Sequence, residues 1–155
     1  SDGTITAANA SSISDGASAL VLTRESNLNG RDPLARIVAH STHSIHPSEF
    51  TLAPIGAIEK LLDKTGWTAD SVDLFEINEA FAMVTMLTTH ALDLDSACVN
   101  VHGGACAQGH PVGSTGSRII VTLMHALEHY GKQRGVAALC IGGGEATAVA
   151  IELVS

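Results

Sequence analysis

The chain has 155 residues and a formal net charge of −8, which suffices for one domain with a buried core and argues against a nucleic-acid or anionic-membrane partner. Hydrophobic residues make up 45% and aromatic residues only 3%, so the core must consist of closely packed aliphatic side chains. Three cysteines, an odd number, argue against a secreted disulfide framework and favour a reducing, cytoplasmic location. No apolar run approaches the roughly 18–20 residues of a membrane-spanning helix.

The N-terminal stretch is a polar segment of small residues that leads into a short apolar run. Residues 1–23 are rich in Ser, Ala, Gly and Asn, and Ala19–Thr23 is predicted to be a strand. A strand with nothing before it to pair with is typical of the end of an upstream unit. Since the chain also begins at Ser1 without an initiator Met, we expect a processed, recombinant or partial chain.

Strands and helices alternate through the middle of the chain. Ile55–Thr65 carries an apolar stripe at helical spacing and is followed by Gly66, a typical helix end. The elements predicted before the glycine-rich segment are strand Leu34–His40, helix Ile55–Thr65, strand Val72–Ile77, helix Ala80–Leu92 and strand Cys98–Val101.

The stretch from Val99 to Arg118 is a glycine-rich turn that presents one histidine. Five glycines lie between residues 103 and 116, a density that allows tight bending. Pro111 restricts His110 to an extended conformation, so the imidazole is expected on a stiff corner. A helix over Val112–Tyr130 follows, and its small first-turn residues predict burial between two layers.

Two strands, Val136–Ile141 and Ala146–Val154, complete the pattern. The order of elements predicts an α/β fold in which helices pack on a sheet. In such folds the polar working residues follow the carboxyl ends of strands, and Asn78, His110 and Cys140 all lie at such ends.

Cys, His and Asn form a known set of nucleophile, base and orienting residue, and the glycines after Cys140 expose backbone N–H groups that can bind an oxyanion. Each residue alone also has a structural interpretation. Cys140 reads as a small buried hydrophobe, His110 as a turn residue and Asn78 as a helix cap.

Three motifs carry a resemblance to a known family. Asn-Glu-Ala-Phe at 78–81, Gly-Gly-Ala-x-Ala-x-Gly-His-Pro at 103–111 and Cys-Ile-Gly-Gly-Gly at 140–144 resemble, in this order, the C-terminal half of the thiolases, the acetyl-CoA acetyltransferases. The segments 6–11 and 15–17 are similar to the part of those enzymes that returns into the N-terminal domain.

The resemblance implies a thiolase-like layered fold, a mixed β-sheet with helices on both faces that forms the C-terminal half of an αβαβα arrangement. Residues 1–24 then form the tail end of the N-terminal domain, and residues 25–155 form the C-terminal domain. The pairing of the cysteine motif with Asn-Glu-Ala-Phe favours thiolases over the related ketoacyl synthases.

The resemblance also implies a role for each site residue. Cys140 is the acid/base that takes the α-proton of acetyl-CoA, and His110 activates the nucleophilic cysteine and donates to the enolate oxygen. Asn78 holds a water that aids His110, and Gly142 contributes its N–H to the thioester oxyanion hole. The pantetheine path is lined by Ala7, Ser11, Ala80 and Phe81.

The activity implied is acyl transfer between acyl-CoA and acetyl-CoA, by Claisen condensation or by thiolysis of a 3-ketoacyl-CoA. The substrates are coenzyme A thioesters, no cofactor is expected, and the full-length enzyme is expected to be a homo-oligomer. The nucleophilic cysteine of the family has no counterpart here, because neither Cys98 nor Cys106 lies in the expected context. We therefore expect the isolated chain to be inactive without an N-terminal thiolase half; alternatively, it is a non-catalytic structural half.

Two shorter motifs suggest other functions. His125, Glu128 and His129 match the H-x-x-E-H pattern of inverted zinc peptidases, but they face away from the apolar stripe of their helix, so no metal site is expected. A second histidine cluster comprises His40, His43 and His46. Gly109, Gly113 and Gly116 suggest a phosphate loop, yet the Lys-Ser/Thr of a P-loop is missing.

Overall fold

The computed structural model describes residues 2–154, which fold into four strands and four α-helices linked by short 3-10 turns. In chain order these elements are β1 Ala35–Ser44, α1 Ala53–Thr65, β2 Leu74–Ile77, α2 Ala82–Ala91, α3 Ala105–Gln108, α4 Thr115–His129, β3 Arg134–Ile141 and β4 Glu145–Leu153. Within this described range, none of the helices is long and apolar enough to span a bilayer.

The four strands form one mixed sheet in the order β1-β4-β3-β2. β4 pairs antiparallel with both β1 and β3, whereas β2 runs parallel to β3. Helices cover both faces of this sheet: α1 packs against one face and α4 against the other. The arrangement confirms the predicted layered α/β fold.

Small aliphatic residues build the core on each face of the sheet. On the α1 side, Ala57, Ile58 and Leu61 are fully buried against alanines and valines of β3 and β4. On the α4 side the buried set consists of Leu74, Ile119, Leu123, Ala126, Leu127, Ala137 and Ile151. The low aromatic content therefore produces two thin, densely packed layers, in which helix and sheet backbones approach closely.

At both edges of the sheet, side chains form hydrogen bonds with main-chain groups of the edge strand. On edge strand β1, Lys60 and Lys64 of α1 donate to the carbonyl oxygens of Thr42 and His40, at 3.4 and 3.0 Å. On edge strand β2, the Asn100 amide accepts from the Ile77 N–H at 2.8 Å and donates to its carbonyl at 2.9 Å. The Asn100 side chain thus bonds as a further strand would.

The predicted strand at Ala19–Thr23 is wrong. The segment has no regular secondary structure and pairs with no strand in the described part of the chain. Val21 is 98% exposed and Leu22 is 70% exposed, so the apolar side chains that suggested a buried strand project into solvent.

The predicted strand Cys98–Val101 is also not formed in the structure. A 3-10 turn at Ser96–Cys98 is followed by a single parallel bridge between Val99 and Phe75. Asn100 then adopts a left-handed backbone, with φ of 48°, which ends the pairing. At residues 98–101 a turn and the side-chain hydrogen bonds of Asn100 to β2 therefore stand in place of regular main-chain pairing between strands.

Two helices begin later than the sequence pattern predicts. α2 begins at Ala82, after Phe81 in an extended conformation, and Asn78-Glu79 lie outside it. α4 begins at Thr115 because Pro111 and the following turn hold the chain out of the helix. Burial of α4 between two layers is complete only on its sheet side. On the other side the Ser18 hydroxyl bonds to Ser114 and Ser117, whereas Gly116 has no described atom beyond its own helix backbone and chain neighbours within 4 Å of where a Cβ would lie.

Gly135→Ala tests the close approach of α4 to β3. A methyl group at residue 135 would lie 2.8 Å from the Leu123 side chain, which is fully buried, so we expect a loss of about 1–3 kcal/mol in the free energy of unfolding. Urea denaturation measures this loss. Gly143→Ala is the matched control, since residue 143 is exposed and has open space around its Cβ position. Equal stability of the two variants would contradict this description of the interface.

Candidate active site

Asn78 lies where β2 ends, on the face of the sheet that α4 covers. Its N–H donates to the Ala138 carbonyl of the parallel strand β3 at 2.9 Å. Leu74 packs in the α4-side core, and side chains alternate along a strand, so Glu76 and Asn78 also point to that face. Asn78 is 1% exposed, and within residues 2–154 its Oδ1 atom has no hydrogen-bond partner.

His110 reaches the same face from the glycine-rich turn. Its N–H donates to the Ser12 carbonyl at 3.1 Å, and Ile13 bridges it in parallel. Gly109 precedes it with φ of 91° and packs so closely on Ser14 that any Cβ would clash. These contacts place the His110 Nε2 atom 3.4 Å from Nδ2 of Asn78.

Thr115 determines which nitrogen of His110 carries the proton. The threonine Oγ1 lies 2.7 Å from Nδ1 of His110 and donates its own hydrogen to the Pro111 carbonyl at 3.0 Å. A hydroxyl that has used its only hydrogen can interact with Nδ1 only as an acceptor. From these contacts we infer that the proton sits on Nδ1 and that Nε2 accepts from the Asn78 amide.

The surroundings of His110 favour its neutral form. Burial lowers the pKa of His110 below its ordinary value of 6.5, and the positive charge of Arg118 lowers it further. A neutral imidazole, whose Nε2 lone pair meets only the long 3.4 Å contact with the Asn78 amide, is the form that accepts a proton. The geometry of residues 78, 110 and 115 is therefore that of a preorganised base.

Cys140 is buried at 8% exposure near the end of β3, two residues beyond Ala138. It lies at the same end of the sheet as Asn78, while its side chain belongs to the α1-side core. Burial raises the pKa of its thiol above the ordinary 9.0. No hydrogen bond joins the thiol to His110 or Asn78 among the described residues, so its catalytic role stays a prediction.

Gly142 lies in the exposed turn between β3 and β4. Its N–H donates to no backbone carbonyl within the described range, and nothing lies within 4 Å of its Cβ position. The N–H is thus open to a ligand oxygen. Its part in an oxyanion hole also remains a prediction.

The residues predicted to line the pantetheine path lie on two segments, which Ser11 and Ala80 join directly. Ser11 donates through both its N–H and its hydroxyl to the Ala80 carbonyl, at 3.2 and 3.1 Å, and Phe81 bridges Ala10. Ala7 is exposed in the turn that precedes them. Residues 9–11 thus lie along residues 80–82.

Glu79 is part of the Asn-Glu-Ala-Phe motif, and its role is structural. Its Oε2 accepts from the Cys106 N–H at 3.1 Å, in the first turn of α3, and its carboxyl packs where any Cβ on Gly104 would clash. This bond satisfies a free N–H at the start of α3. Glu79 therefore anchors the turn that leads to His110.

The sequence interpretation missed three residues around the site, namely Thr115, Glu76 and Arg118. Thr115 lies in a run of small residues, a pattern that predicts only close packing. Glu76 was a stronger signal, because it is an acidic residue inside an otherwise apolar strand; it is 2% exposed, and burial raises its pKa to about 7. Arg118 lies one helical turn after Thr115, and nothing in the sequence relates it to His110.

The residues of the zinc-peptidase pattern lie on the exposed end of α4. Nδ1 of His125 is 3.4 Å from the Glu128 carboxylate, and both side chains are more than half exposed. Among residues 2–154, no three His, Cys, Asp or Glu side chains come together as a metal site. The site chemistry described here is that of the amide and the imidazole.

Residues 31–153 match the family model of the thiolase C-terminal domain. The chain belongs to the thiolase family. Residues 1–26 match the model of the thiolase N-terminal domain, so parts of both thiolase domains are represented in this sequence.

Relatives and solved structures agree with this assignment. The cytosolic acetyl-CoA acetyltransferase of Mus musculus is 50% identical over 152 residues, which cover 97% of this chain and 38% of the relative. The acetyl-CoA acetyltransferase structure from Bacillus anthracis matches with a TM-score of 0.96 at 44% identity, covering 99% of this chain and 39% of that one.

The Acat5 thiolase of Ascaris suum, solved in complex with coenzyme A, matches with a TM-score of 0.86 at 42% identity, covering 98% of this chain and 40% of that one. This chain therefore spans about two-fifths of the length of the thiolases it matches.

Thr115→Val tests the assignment of the His110 tautomer. Valine keeps the shape of threonine and removes the acceptor for the Nδ1 hydrogen, so we expect the Nε2–H tautomer to gain population. The unfolding free energy should fall by about 1–3 kcal/mol, because a partly buried donor loses its partner. The ring ¹⁵N shifts of His110 report the tautomer.

Thr89→Val on α2 is the control, since no hydrogen bond of its hydroxyl is seen among the described residues. It should leave the His110 ring shifts unchanged. An Nδ1–H tautomer that persists in Thr115→Val would show that another group holds the proton.

Proposed function

We propose that this chain is the C-terminal portion of a thiolase that transfers acyl groups between acyl-CoA and acetyl-CoA, in Claisen condensation or in thiolysis of a 3-ketoacyl-CoA. The observation that supports this most directly is the pair of His110 and Asn78, in which a neutral imidazole directs its Nε2 lone pair to the edge of the site. Membership in the thiolase family gives that base its reaction class.

In the thiolysis direction, His110 takes the proton of the nucleophilic cysteine thiol at Nε2. The thiolate attacks the keto carbon of the 3-ketoacyl-CoA, and the bond between its α and β carbons breaks. The electron pair moves into the enolate of acetyl-CoA, whose oxygen accepts from the protonated Nε2 of His110. The Cys140 thiol then gives its proton to the α carbon. The Cys140 thiolate takes the proton of the coenzyme A thiol, whose sulfur attacks the acyl carbon. The leaving cysteine thiolate recovers its proton from His110.

Two further groups stabilise the charges that develop. The buried Oδ1 of Asn78, without a partner among residues 2–154, is suited to hold a water that donates to the enolate oxygen. The open N–H of Gly142 donates to the thioester oxygen when it becomes an oxyanion. Ala7, Ser11, Ala80 and Phe81 line the path of the pantetheine arm, and the coenzyme A thioesters act as substrates, with no further cofactor.

We propose that the nucleophilic cysteine comes from an N-terminal thiolase half, so that the isolated chain does not turn over. The exposed Val21 and Leu22 and the open face of α4 at Gly116 are surfaces suited to contact that half. The full-length enzyme is proposed to be a homo-oligomer. A cytoplasmic location agrees with three free cysteines and with the cytosolic mouse relative.

Thiolysis of acetoacetyl-CoA by coenzyme A tests the proposed function. This chain alone should show no turnover, and combination with an N-terminal thiolase half, in one chain or two, should restore it. His110→Gln and Cys140→Ser should each lower kcat/KM by about 100- to 10,000-fold, because a proton-transfer group is lost. Cys98→Ser is the matched control and should retain activity. A folded assembly without turnover would instead favour the non-catalytic structural half.

The pH dependence of the same assay tests the state of His110. The imidazole must be neutral to accept a proton, and its pKa lies below 6.5. As the pH rises through that pKa, activity should therefore rise, and the acid limb of kcat/KM should lie below pH 6.5. If the acid limb of kcat/KM lies above pH 6.5 and His110→Gln abolishes it, the assignment of neutral His110 as the base is refuted.

A further inference from the structure

Arg118 has no part in the steps above, yet its side chain reaches the segment that carries His110. It lies three residues after Thr115 and therefore on the same side of α4. Its Nη1 donates to Oε1 of Gln108 at 3.3 Å and to the Thr122 hydroxyl at 3.5 Å. The guanidinium thus connects α4 with the residue two positions before the imidazole.

Gln108 extends this connection into the glycine-rich turn. Its Nε2 donates to the carbonyls of His102 and Gly103, at 2.8 and 3.2 Å. The turn is therefore bound to α4 at two points: Gln108, two residues before His110, bonds to Arg118, and the His110 imidazole itself bonds to Thr115. A shift of Arg118 would be transmitted to the base.

Part of the Arg118 charge is held in a buried space without a hydrogen bond. Its Nε is buried and has no partner in the described part of the chain, and the same is true of Oε1 of Glu76. Glu76 lies on β2, on the face that α4 covers, and β2 and α4 pack together. A partly buried cation and a buried carboxyl thus lie on two elements that pack together.

We propose that Arg118 is a positioning residue for His110: its guanidinium fixes the turn and keeps the imidazole in the neutral, proton-accepting form, and the buried carboxyl of Glu76 sets how much of that positive charge the imidazole feels. The inference rests on the proposed function, since a neutral His110 matters for catalysis only if it accepts a proton.

The direction of the coupling follows from the charges present. Burial raises the pKa of Glu76 to about 7, Arg118 acts to lower it and the Glu79 carboxylate raises it. Below pH 7 Glu76 is therefore mostly neutral, and the unmatched charge of Arg118 opposes protonation of His110. Above pH 7 Glu76 ionises and offsets Arg118, when His110 is already neutral. Arg118 therefore opposes protonation of His110 most strongly below pH 7, where Glu76 is neutral.

The test is a titration of the His110 ring resonances, by NMR, in the assembled protein that contains this chain, with Arg118→Gln and Arg118→Lys. Loss of the charge in Arg118→Gln should raise the His110 pKa, and the acid limb of kcat/KM should move to higher pH by the same amount. Below both limbs, kcat/KM then falls tenfold for each pH unit of that shift. Arg118→Lys keeps the charge and should leave the His110 pKa near that of the wild type.

Two controls separate charge from structure. Gln108→Ala cuts the bond to the turn and leaves the Arg118 charge in place, so the His110 pKa should not rise. Glu128→Gln removes an exposed carboxylate from the far end of α4 and should change nothing.

In the wild type, the His110 resonances should show a second, smaller inflection near pH 7, which Glu76→Gln should abolish while it leaves the acid limb in place.

An unchanged His110 pKa in Arg118→Gln would overturn the proposal, as would an equal rise in Gln108→Ala. If Arg118→Gln does not fold, an inflection near pH 7 that survives Glu76→Gln would overturn it as well. The titration needs no turnover. An assembly with the expected shifts and no thiolysis would therefore refute the proposed function and leave the electrostatic coupling standing.

Discussion

The bond between Nδ1 of His110 and the Thr115 hydroxyl is the interaction on which the rest of the site depends. A histidine next to an amide can present either nitrogen, and only one arrangement leaves Nε2 able to accept a proton. Because Thr115 has donated its only hydrogen to the Pro111 carbonyl, the choice is made by the first turn of α4 itself. The same helix that covers the sheet thus fixes the chemistry of the loop before it.

Parallel pairing of β2 and β3 gives this loop its partner. Asn78 is held by the Ala138 carbonyl, so the amide belongs to the rigid sheet while the imidazole belongs to a turn. That turn is fixed from several directions, by Ser12 on one side and by Glu79 beneath α3 on the other. The base is therefore mounted between regular elements, and its precision depends on contacts made by residues far apart in the sequence.

The sequence predicts the layered fold well, because the periodicity of α1, α4, β3 and β4 reflects burial that these elements achieve within the chain. It fails where an element depends on a neighbour. Ala19–Thr23 has a strand-like composition and no strand beside it, and Val99 forms only one bridge before Asn100 turns the backbone. Motifs also locate Asn78 and His110, since glycines and a proline leave a readable pattern.

What the motifs do not contain is the environment of those side chains. The tautomer of His110 is inferred from its contact with Thr115, and its pKa is lowered first by burial and then by the charge of Arg118, a residue that only folding brings close. Similarly, the sequence places Cys140 at a strand end, whereas its inclusion in the α1-side core follows from strand alternation and packing. The occupied edges of the sheet have a separate consequence. Ammonium groups bond to two carbonyls of β1, and the Asn100 amide bonds to both main-chain groups of Ile77 on β2, so each margin has fewer free main-chain groups with which a strand from another molecule could pair.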